Sequence, residues 1–125
     1  MKMYRTFKFF LPIVLLYVFD FNVSLEAQNQ KLLKKESNRW SSYQGRLSWQ
    51  AAKLKCSSIG MRLPSIKELK FAFTANVISE WEVDNFFYWS SDEFDKTHAF
   101  VFSIFDANVS DEIHEFYASV RCFRK

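Results

Sequence analysis

The sequence predicts an α+β fold, two helices followed by an antiparallel meander, and three observations carry that prediction. Ser65 and Glu68 stand in the S-x-x-E spacing of a capping box that opens a helix. Trp49, Ala52, Cys56 and Ile59 recur at helical spacing, one face of an earlier helix. From His98 to Ile104 the side chains alternate, Ala99, Val101 and Ser103 against Phe100, Phe102 and Ile104, which is the period of a strand with one face in the core.

Taken in chain order, the N-terminus departs from the globular average first. Lys2, Arg5 and Lys8 form a basic region, and the run from Phe9 to Phe19 is apolar apart from Tyr17. That run is short of the roughly 20 residues a membrane span requires and matches the h-region of a signal peptide. Asp20 ends it, and Ala27 offers a cleavage point before Gln28, although Leu25 is not the small residue preferred three positions before a cut. The expectation is a signal peptide over residues 1–27, with an uncleaved anchor as the alternative. After cleavage no stable membrane span is expected, and the protein is expected to be secreted, periplasmic or at the cell surface.

Residues 28–39 are polar and basic and read as a mobile arm or a short frayed helix. A domain over residues 40–125 follows; a 125-residue chain that is 49% apolar and 25% charged has room for one ordinary core. Its first helix starts after Ser48, and Gly60 ends it. The second helix has Pro64 and Leu69 spaced as a hydrophobic staple and Ile66, Leu69, Ala72 and Phe73 as its buried stripe. Phe86, Phe87, Tyr88 and Trp89 are strong strand formers. Asp106-Ala107-Asn108 reads as a hairpin turn into a strand from Val109 to Phe116, and a last strand from Ala118 to Phe123 returns Cys122 toward the first helix.

The two cysteines, Cys56 and Cys122, both lie after the leader. In an exported chain a single bridge is the economical reading, worth about 4 kcal/mol for so long a loop. Two separate thiols doing redox or metal chemistry are the alternative, with neither a C-x-x-C nor a neighbouring His to support them. Loss of residues 1–27 takes the formal charge from +3 to +2, yet residues 28–70 hold ten Lys or Arg and residues 71–120 ten carboxylates. Internal pairing between the halves, or two oppositely charged faces, accounts for such an asymmetry. Export argues against a nucleic-acid partner.

Four segments taken together resemble a known family. They are Leu47-Ser48-Trp49-Gln50-Ala51-Ala52 leading to Cys56, Met61-Arg62-Leu63-Pro64-Ser65-Ile66-Lys67-Glu68-Leu69, Tyr88-Trp89-Ser90-Ser91, and Val120-Arg121-Cys122-Phe123-Arg124. In this order and spacing they are similar to the small bacterial C-type-lectin-like domains named after the C-terminal domain of a collagen-like adhesin, distant relatives of the formylglycine-generating sulfatase-modifying fold. The resemblance implies two helices packed on a small twisted antiparallel sheet, a Cys56–Cys122 disulfide, and structural roles for Trp49, Arg62, Leu63, Pro64, Glu68, Leu69, Trp89, Ser90, Ser91 and Arg121. Arg62 and Arg121 read as anchors for backbone carbonyls or carboxylates, and Trp89 as core. Met61 and Ala107 depart from the family's Trp and Gly, at a packing and a turn position.

Candidate chemistry is sparse. Asp92, Glu93 and Asp95 follow the W-S-S motif in an expected loop and are the one candidate calcium site, which needs oxygens from several segments to converge. Lys31, Lys34, Lys35 and Arg39, with Lys53 and Lys55 and further Lys67 and Lys70, are the candidate site for an anionic ligand such as a sulfated glycan. His98 and His114 are too isolated to read as ligands. No nucleophile, base and orienter stand together, so no enzyme and no cofactor are expected. The expected function is an exported, non-catalytic, adhesin-like binding module for a glycan or an extracellular or envelope protein. The alternative is a structural or assembly component of the bacterial cell envelope.

Overall fold

The computed structural model describes residues 21–82 and 85–125. The h-region from Phe9 to Phe19 lies outside them. The chain divides into two compact units, Met1–Lys34 and Lys35–Lys125. Residues 21–37 form helix α1, so the segment read as an arm or frayed helix is helical as far as residue 37. In the first unit Phe21, Val23, Leu25, Leu32 and Leu33 are exposed. Among the described residues no helix is long and apolar enough to cross a membrane.

The second unit runs β1 (Trp40–Leu47), α2 (Trp49–Ser58), β2 (Met61–Arg62), α3 (Ile66–Thr74), a 3₁₀ turn (Val77–Glu80), β3 (Phe87–Glu93), β4 (His98–Ser103), β5 (Val109–Ile113) and β6 (Ala118–Arg124). The six strands make one sheet in the order β1-β6-β3-β4-β5, with β2 also on β6. The sheet is mixed rather than purely antiparallel, because β6 returns between β1 and β3 and pairs with β3 in parallel through Tyr88 and Ser119. With α1 there are three described helices, one more than the sequence predicts.

Both predicted helices begin as their caps require. The Ser48 hydroxyl accepts from the Ala51 N–H, and at α3 the capping box closes in both directions. Gly60, at φ +72°, takes the left-handed position after α2 that an L side chain resists. Trp49, Ala52 and Cys56 are buried, but Ile59, expected on the same face, is the C-cap of α2 and 45% exposed.

The core is two-sided. Trp49, Ala52 and Cys56 of α2 pack with Trp89, Val101, Val120 and Cys122, whereas Leu69 and Ala72 of α3 pack with Tyr88, Phe102 and Phe123. Neighbours along β3, β4 and β6 therefore point into different clusters, as strand alternation dictates. The expectation that one face of β4 is core is corrected: Ala99 and Val101 face the α2 side, and Phe102 and Ile104 the α3 side, all four buried. The Cys56–Cys122 disulfide ties α2 to β6 across a Cα separation of 5.4 Å.

Strand β1 is irregular. Its pairing with β6 shifts register twice, and Gly45 sits at φ +92°. At the first shift the Ser41 hydroxyl accepts from the Cys122 N–H at 2.7 Å and the Arg121 guanidinium donates to the Ser41 carbonyl at 2.9 Å, so side chains replace the missing ladder bonds.

Candidate functional site

The W-S-S and R-L-P-S segments bind each other. The Trp49 indole N–H donates to the Ser90 carbonyl and the Trp89 indole N–H to the Leu47 carbonyl, each at 2.8 Å. Buried Ser90 donates its hydroxyl to the Phe100 carbonyl at 2.7 Å, and the Ser91 N–H donates to the Pro64 carbonyl at 2.7 Å. Arg62 grips both oxygens of Glu68 at 2.7 Å, while Glu68 also accepts from the Ser65 N–H at 2.8 Å. Desolvation opposes ionisation of Glu68, but the bonds from Arg62 and Ser65 outweigh it and hold the carboxyl below its usual range. Leu63, Pro64 and Leu69 are fully buried. Arg121 reaches Glu82 at 2.9 Å and lies 5.0 Å from the centre of the Trp81 ring. Burial pushes the neighbouring Tyr88 hydroxyl up to about 12. Apart from the buried Arg121 Nε, which has no hydrogen-bond partner among the described residues, these groups direct their hydrogen bonds to the scaffold.

The acidic run does not converge. Asp92 accepts from the Ile66 N–H at 2.8 Å at the start of α3, and Asp95 closes a turn by accepting from the Thr97 and His98 N–H groups, each at 2.8 Å. Those bonds, the Thr97 amide foremost, hold the Asp95 carboxyl at about 2. Glu93 is exposed in register with Ala99. Among the described residues no group of three or more His, Cys, Asp or Glu is placed to hold a metal.

Lys31, Lys34 and Lys35 stand at i, i+3 and i+4 along α1, neighbours on that helix, and Arg39 follows its end. The Arg39 guanidinium lies 4.5 Å from the Phe123 ring centre, and the Lys53 ammonium 3.8 Å from that of Trp49, whose ring also stacks on His114 at 4.3 Å. The ion pairs Arg39–Glu36, Arg62–Glu68, His98–Asp95 and Arg121–Glu82 do not join a cation of residues 28–70 to a carboxylate of residues 71–120. Pairing of the two halves is not what these four bridges do.

A different surface has the attributes of a binding site. Phe86 and Phe87 at the entry to β3, Phe105 in the β4–β5 turn and Tyr117 before β6 expose 43, 40, 78 and 62% of their surface. Phe86 lies edge-on to Phe87 at 6.4 Å and tilted against Phe105 at 5.8 Å. Their placement follows from local structure. The Asp106 carboxylate accepts from the Asn108 N–H and Ala107 takes φ +62°, which tightens the turn that carries Phe105 at the surface. Tyr88 and Trp89 fill the two faces of β3, so the aromatic pair before them has no core left to enter.

Phe86 lines two clefts. One, of about 520 Å³, is lined by Phe73, Thr74, Asn76, Ile78, Ser79, Phe86, Ile104 and Phe105. The other, of about 250 Å³, is lined by Arg46, Phe86, Phe87, Phe116, Tyr117 and their neighbours. A cluster of exposed rings beside concave surface is the pattern of an interaction site. Sequence reasoning treated Phe86 and Phe87 as strand formers and passed over Phe105 and Tyr117. The available signal was a phenylalanine abutting the turn residues Asp106-Ala107-Asn108, since turns lie at the surface.

No protein-family model matches the chain, and no curated protein matches it in sequence. Among solved structures it is similar to a chain described as the von Willebrand factor mutant A1 domain–botrocetin complex. That similarity is 14% identity with a TM-score of 0.46, covering 70% of this chain and 97% of that chain.

Proposed function

We propose that this protein is an exported, non-catalytic binding module on a C-type-lectin-like scaffold, and that it recognises a glycan or an extracellular or envelope protein through its aromatic rim. The observation that carries the reading is the set of Phe86, Phe87, Phe105 and Tyr117, exposed together within one compact unit. Burying a phenylalanine side chain is worth about 1.5–3 kcal/mol, and at Phe105 folding forgoes most of it. A partner that covers these rings recovers that free energy. The W-S-S and R-L-P-S interlock and the disulfide supply the rigid platform that keeps the cost of ordering the surface low.

The test is binding to a panel of neutral and sulfated glycans and matrix proteins, comparing the native protein with Phe86→Ser, Phe105→Ser and Tyr117→Ser and with charge reversal at Lys31, Lys34 and Lys35. Saturable binding lost in the aromatic variants and kept in the charge-reversed protein supports the rim. The opposite pattern, with strong salt dependence, places recognition on the basic segment instead.

A further inference from the structure

We infer that the larger cleft is a calcium-independent subsite for an uncharged glycan, a short neutral oligosaccharide stacking on Phe86 and Phe105; this rests on the binding-module reading above. None of the residues lining that cleft is ionisable: Phe73, Thr74, Asn76, Ile78, Ser79, Phe86, Ile104 and Phe105 supply rings, aliphatic surface, two hydroxyls and a carboxamide. No lining group offers a ligand's charge an ion-pair partner, so the lining suits a neutral occupant. Its volume of about 520 Å³ lies within the roughly 300–1,000 Å³ usual for small-ligand sites.

The chemistry of the lining is divided as a sugar's is. A pyranose presents a C–H face, which rests on an aromatic ring, and an equatorial belt of hydroxyls that both donate and accept. Phe86 and Phe105, tilted at 49° with centres 5.8 Å apart, form one wall. Thr74 and Asn76 at the end of α3 and Ser79 in the 3₁₀ turn are exposed and line the same cleft. The side chains of Asn76 and Ser79 make no hydrogen bond to the described residues, and the Thr74 hydroxyl, which donates to the Lys70 carbonyl at 3.0 Å, keeps its acceptor capacity. Asn76 occupies the left-handed region at φ +59°, as Asn tolerates, where it makes no side-chain cap for the 3₁₀ turn.

The experiment is calorimetric titration of the purified, disulfide-intact protein with a panel of neutral oligosaccharides, at low and high salt and with and without EDTA. The expected result is saturable binding unchanged by salt or chelator, weakened about tenfold or more by Phe105→Ala or Phe86→Ala and about threefold or more by Ser79→Ala or Thr74→Val. Near-UV circular dichroism verifies that these surface variants keep the native fold. Neutral oligosaccharide binding that survives Phe105→Ala and Phe86→Ala overturns the subsite, as does binding abolished by EDTA. If no neutral oligosaccharide binds while a protein or a sulfated glycan does, and the ring variants abolish that binding, the subsite falls and the binding-module reading stands. If the ring variants alter no binding of any kind, both fall.

Discussion

Replacing Glu68 by glutamine isolates the ion pair at the centre of the scaffold. Glutamine keeps an acceptor for the Ser65 N–H but gives up the charge and one of the two oxygens that Arg62 holds at 2.7 Å. Hydrogen bonds to charged groups contribute about 1.5–3 kcal/mol. The side chains of Arg62 and Glu68 are 41 and 21% exposed, so solvent screening brings the expected loss down to about 1–2 kcal/mol. In a domain of this size that lowers Tm by about 4–16 °C. Urea denaturation of the oxidised protein at pH 7 is the assay, with a reduced midpoint and unchanged slope expected. In an Arg62→Met background the same replacement is expected to cost little, giving a coupling of about 1 kcal/mol. The folded-state pKa of Glu68 is lowered, so its contribution is present above the unfolded value of about 4.3 and is lost as pH falls through the folded one. The native and Glu68→Gln midpoints are therefore expected to converge progressively as pH falls below about 4.3 and through the lowered folded-state value. An unchanged midpoint at pH 7, an undiminished effect without Arg62, or a gap that does not narrow on acidification would refute the reasoning.

Opening the Cys56–Cys122 bridge by a double Cys→Ala replacement is expected to cost about 4 kcal/mol in denaturant unfolding, since the joined residues lie 66 positions apart; a loss under about 1 kcal/mol would contradict this. Gly60→Ala meets no atom within 4 Å of the new Cβ, so its expected cost of about 1–2 kcal/mol comes from φ +72° alone. Ala107→Gly at φ +62° relieves the same kind of strain against a larger unfolded-state entropy, and is expected to fall between neutral and about 1 kcal/mol stabilising in the same assay. The Asp95 carboxyl is expected to titrate at about 2 by carbon-detected NMR, because it accepts first from the Thr97 amide. Its contribution to stability is present above about pH 4 and lost as pH falls toward 2, and a midpoint near 3.8 would show that the turn does not form.

The helices were legible because their signals are local. Ser65 and Glu68 close a box within one turn, and Trp49, Ala52 and Cys56 report a buried face by spacing alone. The sheet was legible only in part. Strand β1, Trp40–Leu47, is largely polar, contains Gly45 and is held by Ser41 and Arg121 across a bulge, so neither composition nor alternation marks it. The parallel pairing of β3 with β6 is a matter of where the chain returns, which no local pattern encodes. At β4 the alternation correctly separates two faces but does not say that α2 covers one and α3 the other. The candidate site was the least legible. Phe86 read only as a strand former and Phe105 carried no signal of its own, whereas in the fold Tyr88, Trp89 and Phe102 fill the two sides of the sheet and both phenylalanines are exposed. The carboxylates drew attention by their clustering in sequence, yet Asp92 caps the start of α3 while Asp95 closes its own turn.

Chemical-shift mapping of the disulfide-intact protein titrated with neutral oligosaccharides tests the aromatic rim most directly. The account predicts saturable shifts concentrated on residues 73–79, 86, 104 and 105, with those of residues 28–39 and 92–95 unmoved. Saturable shifts that instead gather on the basic segment or the acidic loop, leaving Phe86 and Phe105 unchanged, would contradict it.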